Sequence, residues 1–256
     1  MTMYAEERQQ AMAQLITDRG RLSVNAIAEQ FDVTTETVRR DLSTLERMGL
    51  LRRVHGGAVP ATALAVIEAG LGERDQANTA EKDRIARAAL DLLPQSDGTV
   101  LLDAGSTTGR LASLLPRDLR LTVVTHAVPV AARLAGGHVE LHLLPGRVRP
   151  TTQAAVGADT VLALGRIRAD VAFLGTNGLS VGHGLSTPDS EEAATKRAMV
   201  TGARRVVCLA DSSKIGVEAP LRFAELSEVD VLVTDDGISA ADRRALVRAG
   251  VEVVVA

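Results

Sequence analysis

The chain has 256 residues, room for a domain of about 60 residues beside one of about 180. Aromatic residues are only 2% of it and Trp is absent, so the core must come from Ala, Val and Leu; a single cysteine excludes a disulfide framework. The net charge of -3 excludes no partner, but no apolar run approaches the roughly 18 residues of a membrane span, and the polar start MTMYAEERQQ is not a signal peptide. The expectation is a cytoplasmic protein without a membrane segment.

A first helix is expected from about Tyr4 to Arg19, with Ala11, Leu15 and Ile16 inward and Gly20 ending it. Ser23 to Val59, SVNAIAEQFDVTTETVRRDLSTLERMGLLRRVHGGAV, then reads as a helix-turn-helix followed by a short wing. Ser23 suits the cap of a short helix with Val24, Ile27, Ala28 and Phe31 apolar. Asp32-Val33 makes the turn and Thr34 caps the next helix, since a hydroxyl there accepts a bond from an orphan N–H. Val38, Leu42 and Leu45 fall at i, i+4, i+7 and must face a core. Thr35, Glu36, Thr37, Arg39, Arg40 and Ser43 remain for the outside. Hydroxyls at the start and arginines one turn in suit a major groove, because an arginine fork bridges guanine O6 and N7.

Met48-Gly49 closes that helix, and Leu50 to Val59 reads as a hairpin with Gly56 and Gly57 at its tip and Arg52, Arg53 and His55 on its flank. Residues 1 to 60 hold eight cations and eight carboxylates. Residues 39 to 55, however, hold five arginines against only Asp41 and Glu46. A localised cationic face is enough for salt-sensitive phosphate contacts. Residues 61–80 show no clear period and read as a linker.

From Glu81 the pattern alternates. Helices are expected at 81–93, 107–115, 128–135, 158–167, 190–201 and 239–249. Apolar strands are expected at 99–103, 121–125, 139–144, 171–174, 206–209, 231–234 and 251–255. Strands apolar throughout, interleaved with helices, imply an α/β domain over 81–256 with a mostly parallel sheet covered on both faces. Cys208 falls inside an apolar strand and reads as an inert buried thiol.

In such sheets ligands bind outside the carboxyl ends of strands. Here those ends are polar and rich in glycine. Asp103, Gly105, Ser106, Thr107 and Thr108 lead into a helix, where converging N–H groups and hydroxyls make an anion nest. It is neither a Walker loop nor a dinucleotide GxGxxG. Thr125-His126, Gly175-Thr176-Asn177-Gly178 with Gly182 to Thr187, and Asp211-Ser212-Ser213-Lys214 end other strands, converging on one rim. Anion nest and lysine together point to a phosphorylated small molecule. Gly146 and Arg147 join the candidates; Arg147 and Arg149 either meet a second anionic group or sit in solvent. His138 and His142 lack the carboxylate or thiol companions of a metal site, so neither a metal nor a cofactor is expected. Glu191, Glu192 and Lys196 read as pairing on a helix surface, with Glu192 a lesser effector candidate.

The residues Tyr4 to Gln9, Thr34-Thr35-Glu36-Thr37-Val38-Arg39-Arg40-Asp41-Leu42 and Arg53-Val54-His55-Gly56-Gly57-Ala58 resemble the winged helix of the DeoR family of bacterial transcription regulators. Thr34 and Val38 stand where that family usually carries Ser and Ile. The rest of the chain resembles the DeoR effector domain, similar in fold to ribose-phosphate isomerases and CoA-transferase-like proteins. The resemblance rests on Asp103, Gly105, Ser106 and Thr107, on Asp211, Ser213 and Lys214, and on the region of Lys196. It implies a homo-oligomeric repressor (dimer or tetramer) that binds double-stranded operator DNA and senses a sugar phosphate. Two departures stand out: Thr125-His126 where Thr-Asn is common, and Pro145-Gly146-Arg147 where Gly-Gly is common. With LLPGRVRPTTQAAVG they resemble fructose-operon repressors of actinobacterial type and imply fructose 1-phosphate as effector. The alternative is a sugar-phosphate isomerase with a DNA-binding appendage, for which Asp103 and Lys214 would be the acid–base groups; no complete acid–base pair is legible.

Overall fold

A computed structural model describes residues 5–19, 22–54, 57–60, 70–95 and 97–256. The chain divides into two compact units, Met1–Leu64 and Ala65–Ala256.

In the first unit α1 (Ala5–Arg19), α2 (Val24–Phe31) and α3 (Thr35–Arg47) surround one small core. Each cap is a side chain the sequence supplies. Ser23 Oγ accepts from the Ala26 N–H at 3.1 Å, and Thr34 Oγ1 accepts from the Thr37 N–H at 3.2 Å. Asp32 makes the turn between α2 and α3 in the left-handed region, φ 49°, which Asp tolerates better than most residues. The buried residues of α1 are Met12 and Ile16; Ala11 and Leu15 are only half-buried, so the inward face is rotated from the expected one. β1 (Leu22–Ser23), β2 (Leu51–Val54) and β3 (Gly57–Pro60) form an antiparallel sheet in the order β1-β3-β2. A Cβ on Gly57 would lie 2.0 Å from the Leu22 carbonyl oxygen, so only glycine lets β1 and β3 meet there.

The second unit holds seven parallel strands in the order β15-β14-β12-β9-β4-β5-β6. They are β4 (Gly98–Leu102), β5 (Leu121–Thr125), β6 (Glu140–Leu143), β9 (Ala169–Leu174), β12 (Ala203–Leu209), β14 (Val231–Thr234) and β15 (Glu252–Val255). Alternation splits their apolar side chains between two cores. Leu101, Ala172, Leu174, Cys208 and Leu232 meet α8 (Ala158–Leu164), α9 (Ser190–Gly202) and α10 (Ala240–Arg248). Val100, Leu102, Phe173, Val207 and Val233 meet α5 (Thr79–Ala88), α6 (Ser106–Leu114) and α7 (Val128–Leu134). The chain runs from β4 outward to β6, then returns to place β9 on the other side of β4. That makes the gap between β4 and β9 the topological switch point, where such sheets open a crevice.

Three features differ from the sequence reading. Residues 178–187, read as polar rim loops, are largely strand. There β10 (Gly178–Ser180), β11 (Gly184–Thr187) and β13 (Leu221–Ala224) form a small antiparallel sheet. A further hairpin, β7 (Arg147–Arg149) with β8 (Ala154–Val156), follows β6. Part of the expected linker is helical: α4 (Leu71–Gln76) precedes α5, while residues 61–69 lie outside the described ones. No helix among the described residues is long and apolar enough to cross a membrane.

Candidate functional site

On α3 the inward stripe is Val38, Asp41, Leu42 and Leu45, all buried. Asp41 was missed as an anchor because a charge in a recognition helix reads as solvent-facing. It accepts from Arg8 Nε at 2.8 Å and Gln9 Nε2 at 2.7 Å, which ties α3 to α1. Glu36, Arg39 and Arg40 stay exposed, with a loose 3.5 Å pair between Arg39 and Glu36. Thr35 and Thr37 are half-buried, and Thr37 shares a 2.9 Å hydroxyl contact with Thr34. The wing is fastened to the same helix. The Arg53 guanidinium donates to Ser43 Oγ and the Arg53 N–H to Glu46 Oε1, each at 2.8 Å. Ser43 is thus engaged by the wing, while the Arg52 side chain, His55 and Gly56 lie outside the described residues. The helix start, Arg39 and Arg40 therefore form one outward face, as a groove-reading helix requires.

In the second unit the switch-point crevice is closed by Asp103, just past β4 and wholly buried. Oδ1 lies 3.0 Å from His126 Nε2, and Oδ2 accepts the Gly175 N–H at 2.8 Å and the Lys196 ammonium. His126 Nδ1 donates to the Ala155 carbonyl at 2.8 Å. Lys196 also donates to the Gly175 carbonyl at 3.0 Å. Three strand ends and α9 are thereby drawn to one carboxylate. Burial alone pushes the Asp103 carboxyl up, but Lys196 and the His126 bond outweigh it and hold it at about 2.

This overturns the reading of Lys196 and Glu192 as helix-surface partners. Both face inward, and each is paired elsewhere. Glu192 accepts from Arg149 at 3.0 Å and from the hydroxyl of Thr152, with Thr187 Oγ1 at 3.4 Å. Arg149 also meets Asp189 at 3.1 Å, whereas Arg147 is 61% exposed and pairs with Glu191. Gly146 has φ 144°, and a Cβ there would stand 2.2 Å from Thr160 Oγ1, so its role is to let β7 turn.

The other rim residues separate by exposure. Thr108 and Thr125 are fully buried, with hydroxyls donated to the Gly105 and Leu102 carbonyls at 3.1 and 2.7 Å. Thr107 and Gly178 are buried; the Thr176 hydroxyl donates to Gly178 at 2.6 Å. Gly105, Ser106, Gly175, Thr176, Asn177 and Lys214 keep partial exposure.

Sequence reasoning also missed Lys82. Its ammonium donates to the carbonyls of Arg74 and Ala77, the latter at 2.6 Å. Burial lowers it to about 8, with Asp211 opposing and Lys214 and Arg110 reinforcing the shift. His142 stands on exposed β6 beside Glu140 at 3.1 Å, and no cluster suited to a metal occurs among the described residues.

Residues 8–63 match the DeoR-like helix-turn-helix domain and residues 77–236 the DeoR C terminal sensor domain. The HTH-type transcriptional regulator GlpR of Haloferax volcanii is 37% identical over 98% of this chain and 98% of its own. A putative aga operon transcriptional repressor of Escherichia coli O157:H7 is 31% identical over 97% of this chain and 93% of its own. Among solved structures, ribose 5-phosphate isomerase A from Methanocaldococcus jannaschii aligns at TM-score 0.41 and 16% identity, over 54% of this chain and 55% of its own.

Proposed function

The chain belongs to the DeoR family of transcription regulators, and from that premise we propose that it is an operon repressor released by a phosphorylated sugar. The observation that carries the DNA half is the orientation of α3. Val38, Asp41, Leu42 and Leu45 are spent on the core, which leaves Arg39 and Arg40 in solvent beside a wing. The sensor half is supported by the partial exposure of Ser106, Asn177 and Lys214, which follow the ends of three strands of the parallel sheet. Ser106 begins α6, and a helix start with hydroxyls favours a phosphate. Fructose 1-phosphate is the effector we assign, on the departures at Thr125-His126 and Pro145-Gly146-Arg147. The repressor acts in the cytoplasm as a dimer or tetramer, two winged units reading half-sites one helical turn or a multiple apart.

Gel-shift titration against the DNA upstream of its own gene tests both halves. Arg39→Ala or Arg40→Ala weakens operator binding by about 1–3 kcal/mol where a base contact is lost. If both variants bind as the parent does across a salt series, α3 is not the reading helix. Lys214→Ala binds operator normally but needs more sugar phosphate for release; an unchanged release curve removes Lys214 from the site. An isomerase role gains nothing from Asp103, whose two carboxylate oxygens are both engaged inside the protein.

A further inference from the structure

Residues 70–83 carry a corner between α4 and α5 that is held in an unusual way. No residue of α4 is buried, so little apolar burial holds it. Polar ties take its place. The Leu71 N–H donates to the Thr151 carbonyl at 2.9 Å, in the turn between β7 and β8. Arg110, one turn into α6, donates to the Asp75 carbonyl at 2.8 Å, to its carboxylate at 2.9 Å and to Asp83 at 2.8 Å. Asn78 stands where it would cap α5, yet its side chain makes no cap bond. Instead Nδ2 donates to Asp211 Oδ1 at 3.0 Å, with Ser213 Oγ at 3.4 Å. Its backbone is left-handed, φ 51°. One turn later Lys82 closes the corner on itself through the carbonyls of Arg74 and Ala77.

Two of the ties end on candidate effector elements: the helix that starts at Ser106, and the Asp211–Lys214 loop. The third ends between Arg149 and Thr152, both partners of Glu192. In the sequence, residues 61–69 lie between the corner and β3 of the first unit. An element held by polar ties, each worth about 0.5–1.5 kcal/mol net and about 1.5–3 where a charged group takes part, can open without unpacking a core.

We propose that this corner carries the effector signal: Asn78 reads the Asp211–Lys214 loop, and Lys82 holds the turn that passes its state to the linker. Both are positioning residues. The inference rests on the reading of the rim as a sugar-phosphate site and names how that site is coupled to DNA.

The test uses full-length protein and three variants. Asn78→Gly removes the amide while keeping a residue at ease with positive φ, so the corner still forms. Asn78→Asp sets a carboxylate against Asp211 and forces the tie apart, and Lys82→Met unlocks the turn. Fructose 1-phosphate binding is read by calorimetry, and operator affinity with and without it by fluorescence anisotropy. The variants should bind the sugar phosphate within about three-fold of the parent while the operator release ratio collapses toward one, from a parental ratio of about five-fold or more. A parental release ratio in Asn78→Gly and Lys82→Met overturns the proposal. So does loss of sugar-phosphate binding itself, which would make Asn78 a ligand contact. If the parent responds to no sugar phosphate, the functional reading fails separately. The ligand-free arm then decides: Asn78→Asp must still shift operator affinity by about five-fold, and an unshifted value overturns the corner's role.

Discussion

Asp103 shows how one buried carboxylate organises the crevice. Its folded pKa of about 2 lies below the ordinary 3.8. The carboxylate therefore stabilises the fold above about pH 4, and that contribution, on the order of 2 kcal/mol, is lost as pH falls toward 2. Lys196→Met leaves the charge buried without its cation and should cost about 3–5 kcal/mol in urea unfolding at neutral pH. In the same variant the Asp103 carboxyl, pushed up by burial with its cation gone, protonates at higher pH than in the parent, so the stability deficit should shrink as pH falls, because protonation relieves the buried charge. Asp103→Asn combined with Lys196→Met removes both charges and should be less damaging than Lys196→Met alone. If the double variant is the weaker one, the pair is not what closes the crevice.

At the scale of elements, α3 is fixed by two polar devices of different weight. Losing the Thr34 cap by Thr34→Ala should cost about 1 kcal/mol. Asp41→Ala removes two bonds to a charged acceptor and should cost about 2–3 kcal/mol, releasing α1 from α3. Thermal melts of the two variants check that order; equal melting temperatures would mean that Asp41 does not anchor α1. The caps, the apolar part of the α3 stripe (Val38, Leu42 and Leu45) and the parallel strands were legible in the sequence because each follows from local chemistry or period. The inward face of α9 was not. Glu192 and Lys196 stand four residues apart, the spacing of a surface pair, and only the fold reveals that each has its partner elsewhere. α4 left no signal for a related reason: without a buried residue it has no apolar period, and its position comes from polar ties to distant loops. The β10–β11–β13 sheet was hidden by strands of three or four residues interrupted by glycine. The rim was legible as a collection of polar strand ends, but not which of them the fold would bury.

For the whole molecule, two compact units predict two separable responses. If the first unit makes the phosphate contacts, as proposed, raising salt should weaken operator binding linearly on log–log axes, with a shallower slope in Arg39→Ala. On the proposed function, fructose 1-phosphate should raise the melting temperature of the sensor unit by mass action, to the same extent in Arg39→Ala as in the parent. A variant in the reading helix that abolished the ligand-induced shift would contradict this division.

Cys208 is the last residue but one of β12, wholly enclosed, and burial pushes its thiol up to about 12. Because the chain has no second cysteine, a thiol-trapping dye has one target, reachable only when the parallel sheet comes apart. Labelling kinetics therefore clock the opening of the sensor alone, with no engineered probe. Whether a metabolite slows that clock can be asked without any DNA in the tube.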